Sequence, residues 1–165
     1  MSTYKMTIAG VERELEMFEV NEHLDIAAFI LFNDVEITEK ASEALLKICP
    51  EHDVVLTAEA KSISLAYEFA RIGCRKFIVA RKGLKVYMRN PLSVTVKSIT
   101  TANEQTLHLG ESEVKELKGK RVLILDDVIS TGESLKALEE LAEKCGANVV
   151  GKAAVLAEGD AADRD

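Results

Sequence analysis

Residues 122–134 read VLILDDVISTGES. Four branched aliphatic residues, Val122 to Leu125, run straight into Asp126 and Asp127 and then into a small, hydroxyl-rich loop, Ser130 to Ser134. A short apolar run bounded by loop residues reads as a strand buried on both faces. The following GESLKALEELAEKCG places Leu135, Leu138, Leu141 and Ala142 on one stripe of a helix, and ANVVGKAAVLAE beyond it is a second apolar strand. Upstream, DVVLTA, KSISLAYEFARIG and KFIVA repeat the strand, helix, strand order, with Gly73 ending the helix. Two such crossover units predict an α/β fold: a doubly wound, mostly parallel sheet covered by helices on both sides.

Two segments break that rhythm. YKMTIAGVERELEMFEV predicts a hairpin turning at Ala9-Gly10, followed by a helix from about Thr38 to Cys49, so residues 1–50 form a small N-terminal hood. NPLSVTVKSITTANEQTLHLG alternates as two antiparallel strands with a polar tip near Thr101 to Glu104, and residues 85–107 are expected to act as a flap. The remaining core spans residues 51–158, and all 165 residues are expected to form one domain. The chain ends soon after its last apolar strand, at EGDAADRD, so a closing segment is expected to be short or missing from this chain.

Composition narrows the function. No stretch approaches the roughly 20 apolar residues of a membrane span, and the N-terminus lacks a secretory layout, which predicts a cytoplasmic protein without membrane partners. Cys49, Cys74 and Cys145 lie far apart with no CxxC pair, and His23, His52 and His108 are equally scattered, so neither a disulfide framework nor a zinc site is favoured. A net charge of −7 argues against nucleic acid as a partner. Yet Phe69 to Asn103 contains no Asp or Glu while holding Arg71, Arg75, Lys76, Arg81, Lys82, Lys85, Arg89 and Lys97, a basic island suited to a polyanion.

The opening stretch can then be read chemically. Asp126 and Asp127 end a central parallel strand, where open α/β sheets bind ligands. The loop from Ser130 to Ser134 opens a helix, so backbone N–H groups, the helix dipole and hydroxyls converge on a place for an anion. Carboxylates do not bind phosphate; they accept hydrogen bonds from hydroxyls or hold a cation. A ligand with a diol at one end and a phosphate at the other, such as a ribose 5-phosphate, satisfies both halves.

VLILDDVISTGES resembles the phosphoribosyl diphosphate (PRPP) signature of type I phosphoribosyltransferases, and the likeness covers residues 54–158, closest to the adenine and xanthine enzymes of the purine branch. The resemblance implies that Asp126 and Asp127 hold the ribose hydroxyls and that Ser130, Thr131, Gly132, Glu133 and Ser134 wrap the 5-phosphate. It implies a diphosphate site at Ala58, Glu59, Ala60 and Lys61, completed by Arg81, Lys82 and Lys85. It implies catalytic roles for Asp126, Asp127, Arg81 and Lys82. The base is expected between the hood and the loop after the last strand, at Asn33 and Val35 and at Leu156, Ala157 and Glu158.

Mg²⁺ is the implied cofactor, bound mainly through PRPP rather than by direct protein ligands, and a homodimer the implied assembly. The implied reaction is purine salvage: a purine base displaces diphosphate from PRPP to give a nucleoside monophosphate. Glu133 departs from the family pattern, standing where the loop usually has glycine, and the flap lacks the Glu-Tyr-Gly of adenine enzymes and is more like that of xanthine enzymes. A PRPP-sensing regulator without chemistry is the alternative within the same fold.

Overall fold

The computed structural model describes residues 2–22, 24–97, 104–159 and 161. At the N-terminus β1 (Thr3–Ile8) and β2 (Val11–Asn21) pair antiparallel, and β3 (Leu24–Ala27) adds a third strand against β2. The turn is at Ala9-Gly10 as the sequence indicates, with φ of 49° and 84°. Two consecutive left-handed residues are what a tight hairpin needs to match strand twist.

The helix after the hood, α1, spans Val35–Leu46, about three residues earlier than expected at both ends. Asp34 explains the shift. Its carboxylate caps the helix by accepting the Ile37 N–H at 3.2 Å. It also accepts two bonds from Arg13, at 2.8 and 2.9 Å, which ties the hairpin to the helix and holds the Asp34 carboxyl below the usual carboxylate range. Thr38, expected at the start, sits inside the helix with its hydroxyl bonded back to the Asp34 carbonyl.

The core follows as β4 (Val54–Ala58), α2 (Ile63–Ile72), β5 (Phe77–Ala80), β6 (Leu92–Lys97), β7 (Glu104–Leu109), α3 (Glu111–Leu117), β8 (Arg121–Ile129), α4 (Glu133–Lys144) and β9 (Asn148–Ala157). The sheet is parallel, in the order β5-β4-β8-β9. Side chains of β8 alternate between the two faces: Val122 and Ile124 pack with Leu135, Leu138 and Leu141 of α4, while Leu123 and Leu125 pack with Leu65, Ala66 and Phe69 of α2. Each leucine buried this way contributes about 1.5–3 kcal/mol. The crossover from β4 to β5 therefore covers one face and that from β8 to β9 the other, so the chain reverses its winding between β4 and β8. An open α/β sheet splits into a crevice at that point, beyond the carboxyl ends of its strands.

The antiparallel pair β6 and β7 is less of a free arm than its sequence suggests. Val94, Leu107 and Leu109 are buried in the same core as α4, so the root of the flap is structural. The expected tip, Thr101 to Glu104, lies outside the described residues except for Glu104, which begins β7. No helix among the described residues is long and apolar enough to cross a membrane.

Candidate active site

Three loops meet at the crevice. The β4 to β8 ladder ends at Leu56 and Ile124, and the Thr57 hydroxyl donates to the Leu125 carbonyl at 2.7 Å just beyond it. From there β8 stays paired with β9 alone, and the chain carries Asp126 and Asp127 past the end of β4. Asp127 is buried and Asp126 half-buried. Ser62, preceding α2, joins them: its hydroxyl lies 2.6 Å from Asp126 Oδ1 and 3.1 Å from Asp127 Oδ1, and its oxygen accepts the Asp127 N–H at 3.0 Å. A single hydroxyl proton serves one carboxylate at a time, so the pair shares one donor.

That arrangement sets the charge state. Burial, and then the neighbouring Asp127 carboxylate, push the Asp126 carboxyl up to about 6, against the opposing pull of the Ser62 hydroxyl. Lys61 relieves the pair from the solvent side, its Nζ 3.1 Å from Asp127 Oδ2.

The second loop, Ala58 to Lys61, contains a cis peptide between Glu59 and Ala60. Glu59 Oε1 lies 2.9 Å from Arg81 Nε, and Glu59 Oε2 accepts the Lys82 N–H at 2.8 Å. The basic island is thus partly neutralised by acids outside its own stretch of sequence: Arg81 by Glu59, Arg71 by Glu68 at 2.7 Å, and Lys76 by Glu116. Lys82 and Lys85 keep side chains without an acidic partner among the described residues.

The third loop opens α4. Gly132 has φ of 80°, a left-handed conformation that glycine adopts without penalty. The first turn it precedes carries amides with no acceptor inside the helix, beside exposed Ser130 and Thr131 and half-buried Glu133 and Ser134. The Ser134 hydroxyl reaches Gln105 of β7 at 3.4 Å.

A cavity of about 650 Å³ extends from this loop to the hood. Ser130 and Thr131 line it together with Leu156, Ala157 and Glu158, and Tyr4 and Asp25 face them from the hairpin side. The Glu158 N–H bonds to the Ile129 carbonyl at 2.8 Å, which fixes the end of β9 beside the loop from Ser130 to Ser134. Asn33 and Val35 do not line this cavity; they line an apolar groove between α1 and α2 that reaches Ala60 of the second loop. The structure therefore brings together Ala58 to Lys61, Arg81, Lys82, Asp126, Asp127 and the loop from Ser130 to Ser134, adds Leu156 to Glu158 at their edge, and places Asn33 and Val35 in the neighbouring groove, which meets the second loop at Ala60. Sequence reasoning missed Ser62, whose only signal is its place one residue past the small triplet, and Gln105 and Asp25, which carry none.

Residues 32–165 match the phosphoribosyl transferase domain family. The chain is 32% identical over 127 residues to the adenine phosphoribosyltransferase of Rhodococcus jostii, spanning 76% of this chain and 69% of that protein. It is 33% identical over 113 residues to the purine biosynthesis transcriptional repressor PurR of Bacillus subtilis, spanning 68% of this chain and 39% of that one. In fold it superposes with a TM-score of 0.72, at 20% identity and over 87% and 84% of the two chains, on the Saccharomyces cerevisiae adenine phosphoribosyltransferase complexed with an imino-altritol bisphosphate and adenine. The chain belongs to the type I phosphoribosyltransferase family, a family of glycosyltransferases, and to its purine branch.

Proposed function

We propose that the protein transfers the 5-phosphoribosyl group of PRPP to a purine base of the adenine or xanthine type, releasing diphosphate. The observation that carries this reading is the crevice itself: a carboxylate pair flanked on one side by a basic loop and on the other by a helix-opening hydroxyl loop. Asp126 and Asp127 accept the ribose hydroxyls, and the loop from Ser130 to Ser134 binds the 5-phosphate. Lys61, Arg81, Lys82 and Lys85 face the diphosphate. The base lies in the cavity against Leu156, Ala157 and Glu158, so that its ring nitrogen reaches the anomeric carbon opposite the leaving group.

Charge dominates the barrier, because the bond to diphosphate breaks while positive charge grows on the sugar. Fixed cations on one side and ionised carboxylates on the other stabilise both ends of that separation. Mg²⁺ fits as an ion carried by the substrate: Asp126 and Asp127 supply two carboxylates, and no third His, Cys, Asp or Glu joins them among the described residues. When bound it would neutralise part of the diphosphate charge.

Diphosphate release measured with Mg²⁺, PRPP and a panel of adenine, hypoxanthine, guanine, xanthine, uracil and orotate tests the proposal. Release with one or more purines supports it. Binding of PRPP without release by any base would assign the protein to regulation instead, and no binding of PRPP would end both readings.

A further inference from the structure

We infer that Glu59 is a positioning residue, which never touches the diphosphate but orients the Arg81 guanidinium that does and pins the backbone at Lys82 beside it; this rests on the phosphoribosyl transfer proposed above. A carboxylate has nothing to offer a polyphosphate directly, since it brings only acceptors and a like charge. Both oxygens of Glu59 are in fact committed inside the protein, Oε1 to Arg81 Nε at 2.9 Å and Oε2 to the Lys82 N–H at 2.8 Å.

The contact lies on the Nε side of the guanidinium. By engaging Arg81 at Nε, Glu59 leaves the two terminal nitrogens, the edge that binds phosphate oxygens in pairs, free of this carboxylate. The Arg81 backbone is fixed independently, its N–H bonded to the His108 carbonyl at 2.9 Å and its carbonyl accepting the His108 N–H at 2.8 Å. Glu59 is anchored in turn by its N–H to the Ala80 carbonyl at 3.0 Å. With both backbones held, the long Arg81 side chain is the one element left to order, and the Glu59 charge orders it. Arg81 Nε has no aligned hydrogen-bond acceptor, so the pair is held by charge, and an amide of the same shape would not replace it.

The test is a double-mutant cycle read by calorimetric titration with inorganic diphosphate and with Mg·PRPP, on the wild type, Glu59→Gln, Arg81→Ala and the double variant. Glu59→Gln is expected to weaken diphosphate binding about fivefold, in line with a half-exposed ion pair, and to do so less than about twofold once Arg81 is gone. Glu59→Asp, which keeps the charge one methylene back, is expected to recover part of the loss; a role in folding alone would not separate Gln from Asp. Melting temperatures confirm that each variant is folded.

No loss in Glu59→Gln, tighter diphosphate binding by it, or an equal loss in both backgrounds would overturn the inference while leaving the transfer reading intact. A wild type that binds neither diphosphate nor Mg·PRPP would overturn both.

Discussion

The crevice between β4 and β8 and the cavity under the hood adjoin at Ser130 and Thr131, yet they are built in opposite ways. The crevice is made of short, contiguous pieces: residues 58–62 and 81–82 leave the ends of β4 and β5, and residues 126–134 run from the last residues of β8 through the loop into the start of α4. The cavity is assembled from stretches that share no local pattern, residues 4, 6, 15, 25–27, 130–131 and 156–159. Phosphate and ribose are recognised by charges, hydroxyls and backbone amides, which a single loop can supply. A flat base is recognised by walls, and walls come from wherever the fold delivers them.

The largest expected effect lies in the crevice. Asp126→Asn and Asp127→Asn each convert a charge-assisted hydrogen bond to the ribose into a neutral one, at about 1–2 kcal/mol apiece. The double variant should therefore bind Mg·PRPP roughly 30- to 900-fold more weakly, while remaining folded. Calorimetric titration measures it. Unchanged affinity would remove the ribose assignment and with it the contrast between the two regions.

Legibility followed the same division. The order of strands and helices, the doubly wound sheet and the carboxylate pair could be read because β8 and its loop advertise them locally: a run buried on both faces, then two acids, then small hydroxyl residues. The helix stripe of Leu135, Leu138, Leu141 and Ala142 is buried as its spacing indicates. Other features depend on distant partners. β3 and α3 were not read, since LDIA and ESEVKEL are short and weakly patterned. The basic island looked uncompensated because Glu59 and Glu116 reach it only through the fold, while Glu68 stands one residue before it and pairs with Arg71 within α2. The side of the chain on which Asn33 falls is equally silent: it has φ of 66° in the turn that precedes α1 and lines the groove between α1 and α2 rather than the cavity under the hood. No pattern in the sequence distinguishes those two sides of one loop.

A change in the cavity should sharpen the contrast. Leu156→Ala removes apolar wall beside Ser130 and Thr131 without touching a charge. It is expected to raise KM for the preferred base about tenfold, as loss of a close apolar contact does, and to leave Mg·PRPP affinity within roughly twofold. Steady-state kinetics with each base, alongside titration of Mg·PRPP, checks both halves. Equal losses for the base and for PRPP would mean that the cavity and the crevice act as one site.

The smallest effect concerns stability, and it runs against function. Burial and Asp127 raise the Asp126 carboxyl from 3.8 to about 6 in the folded protein. Between those values the folded state holds more protons than the unfolded chain, so stability falls as pH rises through this window and the deficit is complete above it. Ionised Asp126 is thus a strain on the free protein, one that its proposed contact with a ribose hydroxyl would account for. Asp126→Asn keeps an oxygen for the Ser62 hydroxyl and the Asp127 N–H while removing the charge. Its melting temperature should exceed that of the wild type at pH 8, by about 2–4 °C for each kcal/mol regained, and the gain should vanish as pH approaches 4. Mg·PRPP affinity of the wild type should move the other way, weakening below about pH 6 as Asp126 takes up its proton. Thermal melts of the two proteins across pH 4 to 8 decide the matter. A variant no more stable than the wild type at pH 8 would mean that Lys61 and Ser62 already compensate the pair, and that the crevice is no costlier to fold than the cavity beside it.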